Sequence, residues 1–385
     1  MGKLTPPLVR PEKGAVDLLV LAAECSGDEL GSELIESYLL ANPSAELWAA
    51  GGERMAAAAK HFLVNVVDHS AMGIFDVIAK LPFFLRYIAA IVDWIAATLP
   101  RRVCFVDSPS LHLRIAKRLF DMGISQKGGG TVSLYCYVAP QVWAWKPERK
   151  FAMGKLIDSL AVLFPFEKAH FADCGMDVSC VGHPFVRNSS GSPLRYGENG
   201  GLLLLPGSRT AAVRRNLPIM VEAAFAQELE AIRPISCLYP TENVRQVISA
   251  CLGDCDAAVA ENVRLVGAAK APSDPIVARL AIVGAGTMSL RCALEAIPGV
   301  IAYRTNWLTY WLGRRYVRVA HIGIASIILG YEFYAEFIQG DADPRAIAEK
   351  LVTYADAASD FAVVADELRS KMMEADKLPA EWLMQ

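Results

Sequence analysis

The chain has 385 residues and a formal net charge of −3, a length beyond that at which a single hydrophobic core stops growing, so two domains are expected. Its 38 Lys and Arg do not outnumber its 41 Asp and Glu, which argues against a nucleic-acid partner, because no cationic excess is available to neutralise phosphates. Hydrophobic residues make up 54% and the mean hydropathy is +0.30, a balance that fits large buried parallel sheets, contact with a membrane, or both.

The N-terminus "MGKLTPPLVRPEKGAVD" has no apolar core segment, so no secretory signal is expected. The nine cysteines include no CxxC pair and no His placed to complete a zinc site, which points to a reduced, cytosolic chain. The first element is "VDLLVLAA", residues 16–23, whose continuous apolar run predicts a strand covered on both faces. It ends at Glu24 and runs into Ser26, Gly27 and Asp28, turn and N-cap residues ahead of a periodic helix.

The segment "LPFFLRYIAAIVDWIAATLP", residues 81–100, is long enough to span a bilayer, but Arg86 and Asp93 interrupt it and Pro82 and Pro100 bound it. A helix between those prolines aligns Phe83, Tyr87, Ile91, Trp94 and Ile95. That stripe suits a buried core helix or an interfacial membrane helix; in the second case Phe83, Phe84, Tyr87 and Trp94 are the membrane contacts.

"RVCFVD" (102–107) and "TVSLYCYV" (131–138) predict further buried strands. The first delivers Asp107 to a strand end, where a carboxylate serves either as a general base or as the cap of the next helix. Next comes "YVAPQVWAWKPERK", with Trp143 and Trp145 beside Lys146, Arg149 and Lys150. This mixture suits a phosphorylated, partly apolar acceptor, an anionic membrane interface, or a packing loop with a solvated charged face. "DSLAVLF" (158–164) and "VSCVG" (178–182) continue the strand pattern, and His183 follows the second of them as a structural hydrogen-bonder or a catalyst.

The polar, glycine-rich stretch "RNSSGSPLRYGENGG" (187–201) reads as a linker. It divides the chain into domains at 1–188 and 201–385, joined by 189–200, with the last helix a candidate to pack back on the first domain. Beyond it, "GLLLLPG", "PISCLYP", "NVRLVG", "LAIVGAG" and "GVIAYR" alternate with helical signals. The fold class is therefore α/β, with two Rossmann-like, doubly wound domains facing a central cleft and ligands at the carboxyl ends of the strands.

In "LPGSR", Gly207 allows close backbone approach, Ser208 is placed to cap a helix, and Arg209 offers a bidentate fork. A helix N-terminus there would bind an anion, whereas a plain strand-to-helix turn with a solvated Arg is the alternative. "VGAGTMSLRCALEA" (283–296) repeats the pattern, with Gly286 at the turn and Thr287 placed to cap. It lacks the third glycine of a dinucleotide fingerprint, and two such turns in one domain fit one diphosphate-bearing nucleotide. "YRTNWLTYWLGRRYVRVAHI" (303–322) adds Trp307, Tyr310 and Trp311 next to Arg314, Arg315 and Arg318.

The ordered set "AECSGDELG", "VDSPSLHLRIAKRL", "YVAPQVWAWKPERK", "FPFEK", "GHPFV", "LLPGSR", "GTMSLRCALE" and "YRTNWLTYWLGRR" resembles the lipid-A-disaccharide synthase family over nearly the whole chain. The resemblance implies a GT-B glycosyltransferase fold and an inverting, metal-independent transfer with no cofactor. The implied substrates are UDP-2,3-diacylglucosamine and 2,3-diacylglucosamine 1-phosphate (lipid X), and the implied setting is the cytoplasmic side of an anionic inner membrane. It assigns Asp107 as the base for the acceptor hydroxyl and Arg209 as the stabiliser of departing UDP. Gly207, Ser208, Gly286, Thr287, Glu295 and Gln339 fall to the donor, and Glu24, Ser26, Gly27, Asp28 and Trp143 to the acceptor side.

The chain departs from the family pattern at three places, one of them the usual "PELLQ" ending, which is reduced to "AEFIQ" at 335–339. Ser110, Leu111 and His112 stand where the family reads "DFN", and Arg291 stands where the helix after "GT" carries a glutamate, leaving Glu295 one turn on to hold the ribose. Two further readings share these residues: a relative that binds without turning over, and a transferase acting on another lipid-linked sugar. Acyl-chain length and oligomeric state have no readable motif.

Overall fold

The computed structural model of the chain describes residues 8–11, 15–69, 74–187, 191–268, 274–307, 310–311 and 320–385, with the backbone alone for 74–80. Its contacts divide it into two units: residues 1–184 with 374–385, and residues 185–373.

The first unit is built from β1 (Leu18–Ala22), α1 (Cys25–Ala41), β2 (Leu47–Gly51), α2 (Glu53–Ala58), β3 (His61–Asn65), α3 (Ile74–Thr98), β4 (Arg102–Val106) and α4 (Pro109–Asp121), followed by β5 (Ser133–Tyr137), α5 (Arg149–Gly154), β6 (Ser159–Val162), α6 (Pro165–Phe171) and β7 (Asp177–Cys180). The seven strands are parallel in the order β3-β2-β1-β4-β5-β6-β7, with Leu18 opposite Arg102 and Ala22 opposite Val106. Chain order therefore reverses between β1 and β4, and open α/β sheets leave a ligand crevice at such a switch point. The apolar runs of β1 and β4 are explained by burial on both faces.

The helix α3 corrects the expectation for 81–100. It starts at Ile74 and passes through Pro82 instead of starting there, at the cost of the one backbone bond that a proline nitrogen cannot donate. Phe83, Tyr87 and Trp94 are not membrane contacts: all three are buried in the core that covers one face of the sheet. The Trp94 indole donates to the carbonyl of Val9 at 2.8 Å, which spends its polar end inside the unit. Phe84 is half-buried, and Leu81 and Leu85, 42% and 44% exposed, form the outward apolar face.

The final residues complete this unit. Asp376 accepts from the Cys180 amide and the Lys168 ammonium, both at 2.8 Å. Trp382, fully buried in the closing helix Pro379–Leu383, donates to Ser159 Oγ at 2.8 Å and packs edge-on against Tyr135.

The second unit follows the short helix α7 (Pro184–Arg187) with β8 (Leu194–Leu205), α8 (Thr210–Ala224), β9 (Ile235–Tyr239), α9 (Glu242–Gly253), α10 (Ala257–Glu261), β10 (Val263–Gly267), β11 (Ile276–Val283), α11 (Thr287–Leu294), β12 (Gly299–Tyr303) and β13 (Ala335–Ile338), with further helices at Ile324–Leu329, Pro344–Ala355 and Ala358–Met372. Its six strands are parallel in the order β10-β9-β8-β11-β12-β13, so the switch point lies between β8 and β11. The stretch expected as linker, 189–200, is in part strand. β8 already pairs with β11 at Leu194 and Arg195, and after an irregularity pairs again from Gly201 onwards. The interruption, not a lack of pairing, accounts for the polar, glycine-rich composition.

Candidate active site

At the first switch point, β4 ends in Val106 and the chain turns through Asp107 and Ser108, both in the left-handed region with φ of 54° and 45°. Two successive non-glycine residues of this kind cost roughly 1–3 kcal/mol each and persist only where their surroundings over-determine them. Here they are held from several sides. The Asp107 amide donates to the Tyr137 carbonyl at 3.0 Å, and His112 Nδ1 lies 2.7 Å from the Asp107 carbonyl oxygen. The Ser26 hydroxyl donates to the Asp107 carboxylate at 3.0 Å.

Asp107 does not cap α4. The N-cap is Ser108, without a side-chain capping bond, so the half-exposed Asp107 carboxylate is left facing the strand ends. Ser108 Oγ reaches Glu24 Oε1 at 3.4 Å. Gly27 permits a close approach: a Cβ there would crowd the Val106 carbonyl oxygen at 3.2 Å and Ala22 Cβ at 3.3 Å. Glu24, Ser26, Gly27 and Asp107 thus gather at the ends of β1 and β4.

Asp28 does not join them. It is buried, and its carboxylate accepts the amides of Gly52 (2.7 Å), Met55 (3.0 Å) and Arg54 (3.1 Å), which caps α2 from α1. Trp143 is half-buried and donates its indole N–H to Glu167 Oε1 at 3.2 Å, leaving its ring as the available surface. Glu167 also accepts from the Leu163 and Phe164 amides, and burial raises its pKa to about 7 against those hydrogen bonds. Beside the Asp107 turn, Pro109, Ser110, Leu113, Pro140 and Arg149 line a small, mostly apolar pocket. Arg149 and Lys146 flank the exposed Trp145 ring at 5.1 and 4.7 Å. His183 is buried against the Phe164 ring, a packing role.

At the second switch point, Gly207 takes φ of 115°, which only glycine adopts readily. The exposed run Gly207–Ser208–Arg209 precedes α8, and its N-cap is Arg209, not Ser208. Thr287 likewise does not cap α11: Gly286 occupies that position and Thr287 is the first helical residue. The Gly284 amide donates to the Leu205 carbonyl at 2.8 Å, which sets the "GSR" and "GAGT" turns side by side. Two helix starts and an arginine therefore sit at adjoining strand ends, an arrangement whose charge and N–H groups suit an anion such as a diphosphate.

Of two further expected donor residues, one stands away from the turns and the other is engaged with backbone. Glu295 is half-buried at the carboxyl end of α11, one helix length from the turn. Gln339 spends its amide on the Thr305 backbone, accepting from its N–H at 2.7 Å and donating to its carbonyl at 3.2 Å. Arg291 is buried with its guanidinium 3.7 Å from the Phe185 ring centre, a packing position.

Sequence reading missed Glu336, whose carboxylate accepts the Ile322 and Gly323 amides at 2.8–3.0 Å. Gln339 thus binds the backbone at Thr305, and Glu336 binds it at Ile322 and Gly323; Trp307 and Trp311 are exposed, and the arginines expected there, Arg314, Arg315 and Arg318, lie outside the described residues. Among the described residues no three His, Cys, Asp or Glu side chains gather as metal ligands would.

The sequence model of the lipid-A-disaccharide synthetase family matches residues 18–378. The chain belongs to the lipid-A-disaccharide synthetase family. This member is 31% identical to the lipid-A-disaccharide synthase of Myxococcus xanthus over 87% of its own length and 86% of the relative's. It is 32% identical to that of Syntrophus aciditrophicus, over 87% of both chains. In fold it is similar to Arabidopsis thaliana UGT89C1 complexed with quercetin (TM-score 0.56, 10% identity, 96% and 97% of the chains) and to the spinosyn forosaminyltransferase SpnP (0.54, 12%, 96% and 97%). The two parallel sheets of this family member are thus of the α/β kind found in GT-B glycosyltransferases.

Proposed function

We propose that this family member transfers the sugar of UDP-2,3-diacylglucosamine to the 6-hydroxyl of 2,3-diacylglucosamine 1-phosphate, giving the β-1,6-linked disaccharide and UDP. The observation that carries this reading is the placement of Asp107 and of Arg209 each at the topological switch point of its own sheet. Asp107 takes the proton of the acceptor hydroxyl as its oxygen bonds to the anomeric carbon from the face opposite UDP. The bond from that carbon to the diphosphate oxygen breaks, and the configuration inverts. Negative charge grows on the leaving diphosphate, where the Arg209 fork and the first-turn N–H groups of α8 and α11 oppose it. These groups supply the charge stabilisation that would otherwise fall to a cation, so transfer proceeds with no metal and no cofactor.

The pocket lined by Pro109, Leu113, Pro140 and Arg149 supports an acceptor that is both apolar and phosphorylated. Exposed Leu81, Leu85, Trp145, Trp307 and Trp311 support peripheral attachment to a membrane, and Lys146 and Arg149 beside Trp145 suit an anionic one. Incubating the purified protein with both lipid substrates and following UDP release and disaccharide mass, with and without a chelator, tests the proposal. Product in both conditions is the expected outcome; bound UDP with no disaccharide overturns it.

A further inference from the structure

We propose that His112 is a positioning residue for this transfer, holding the left-handed Asp107 peptide so that the Asp107 carboxylate meets the acceptor hydroxyl. The proposal rests on the reading of Asp107 as the proton acceptor. At the level of sequence His112 looks like a loss, since it stands where the family pattern has an amide. The structure gives it a specific bond. His112 Nδ1 lies 2.7 Å from the Asp107 carbonyl oxygen. A carbonyl only accepts, so Nδ1 carries the proton and the ring is the Nδ1–H tautomer.

The imidazole is fixed in two other ways. It is 2% exposed, and it stacks on the Phe105 ring at 5.2 Å and 26°. Burial lowers its pKa to about 4, against the opposing pull of the Asp107 carbonyl and carboxylate, so the ring is neutral at working pH. Phe105 lies on β4 and His112 on α4, and the tight turn between them contains Asp107 and Ser108. Both ends of that turn are thus anchored in the core, and the donated proton ties its apex to the second anchor. With the Asp107 amide bound to Tyr137 and the carboxylate to Ser26, the residue is fixed through backbone N–H, backbone C=O and side chain together.

The geometry also says which substitutes are acceptable. An asparagine amide nitrogen falls where Nδ1 does, counted in bonds from Cβ, and a glutamine nitrogen falls at the Nε2 position. An asparagine at this position is therefore expected to donate to the same carbonyl, and a glutamine is not.

The test compares H112N, H112Q and H112F with the unaltered protein, with D107A alongside. H112F keeps an aromatic ring against Phe105 and removes the donor. We expect kcat to fall 10–100-fold in H112F and H112Q, since an ångström of misplacement in a reacting group costs about 10² in rate. KM for both substrates stays within about twofold, and H112N recovers most of kcat. A rise in KM with kcat unchanged, or equal activity in the asparagine and glutamine variants, overturns the proposal. Should H112F not fold, the asparagine and glutamine pair decides, and ¹⁵N-histidine NMR of the unaltered protein decides independently: an Nε2–H tautomer for His112 overturns it. D107A separates the two claims. Undiminished turnover in D107A removes Asp107 as the base, whereas an inactive D107A beside a fully active H112F removes only the role of His112.

Discussion

The Ser26 hydroxyl donates to the Asp107 carboxylate across 3.0 Å, from the first turn of α1 to the residue after β4. The bond spans 81 positions of sequence and closes the switch point of the first sheet. It orients one carboxylate oxygen and leaves the other for a substrate proton. Replacing Ser26 by Ala is expected to lower kcat roughly tenfold, about 1.4 kcal/mol of lost orientation. Asp107→Asn is expected to lower it by about 10²–10⁴, the usual contribution of a general base. Steady-state kinetics on both variants checks this, and donor affinity should stay near its original value in each.

Arg209 is exposed beside Gly207 and at the start of α8, so its replacement tests the site with little risk to folding. Arg209→Lys keeps the charge but not the planar fork. Turnover is expected to fall by about 10² in the lysine variant and further in Arg209→Ala, because the lost interaction is with charge that develops on the leaving group. Single-turnover UDP release measures the effect.

Two buried groups of opposite sign shape the pH dependence of stability. His112 falls from its ordinary 6.5 to about 4 on burial, so the unfolded chain binds the extra proton and stability drops as pH falls from about 6.5 to 4. Glu167 rises from 4.5 to about 7 on burial, so the folded chain binds the extra proton and stability drops as pH rises from about 4.5 to 7. Where the windows overlap, the two slopes, each at most about 1.4 kcal/mol per pH unit, oppose one another. Denaturant titrations from pH 4.5 to 6.5 should show stability rising more steeply with pH in Glu167→Gln, and falling more steeply in H112N, than in the unaltered protein.

The outward face of α3 allows the proposed membrane attachment to be tested apart from folding. Leu81→Glu with Leu85→Glu is expected to weaken binding to anionic vesicles at least tenfold and leave unfolding midpoints nearly unchanged, because both side chains are already well exposed. Phe83→Glu places a charge in the core and is expected to destabilise the first unit by several kcal/mol. Vesicle sedimentation and thermal unfolding, run on the same samples, distinguish the two.

The strands β1, β4 and the second part of β8 were legible because central parallel strands are buried on both faces and read as unbroken apolar runs. β2, with its alanines and glycine, and the partly exposed edge strand β3 give no such run, and the alternation passed over both. The glycine turns and Asp107 were legible from their place at strand ends. What Asp28 and Gln339 do was not, because their partners lie 24–27 and 34 residues away and no local spacing encodes such a pairing. Trp94 misled for a related reason: an amphipathic stripe looks the same whether a sheet or a bilayer covers it.

The buried seat of Trp382 has a consequence for how the protein is born. The second unit is an insertion within the first, so the ribosome makes it whole before the residues that close its host have emerged. Until then the surfaces around Ser159 and Tyr135 stand open to water. The inserted unit can settle before those residues are made, whereas its host closes only once the Trp382 indole is there to seat against Ser159 and Tyr135.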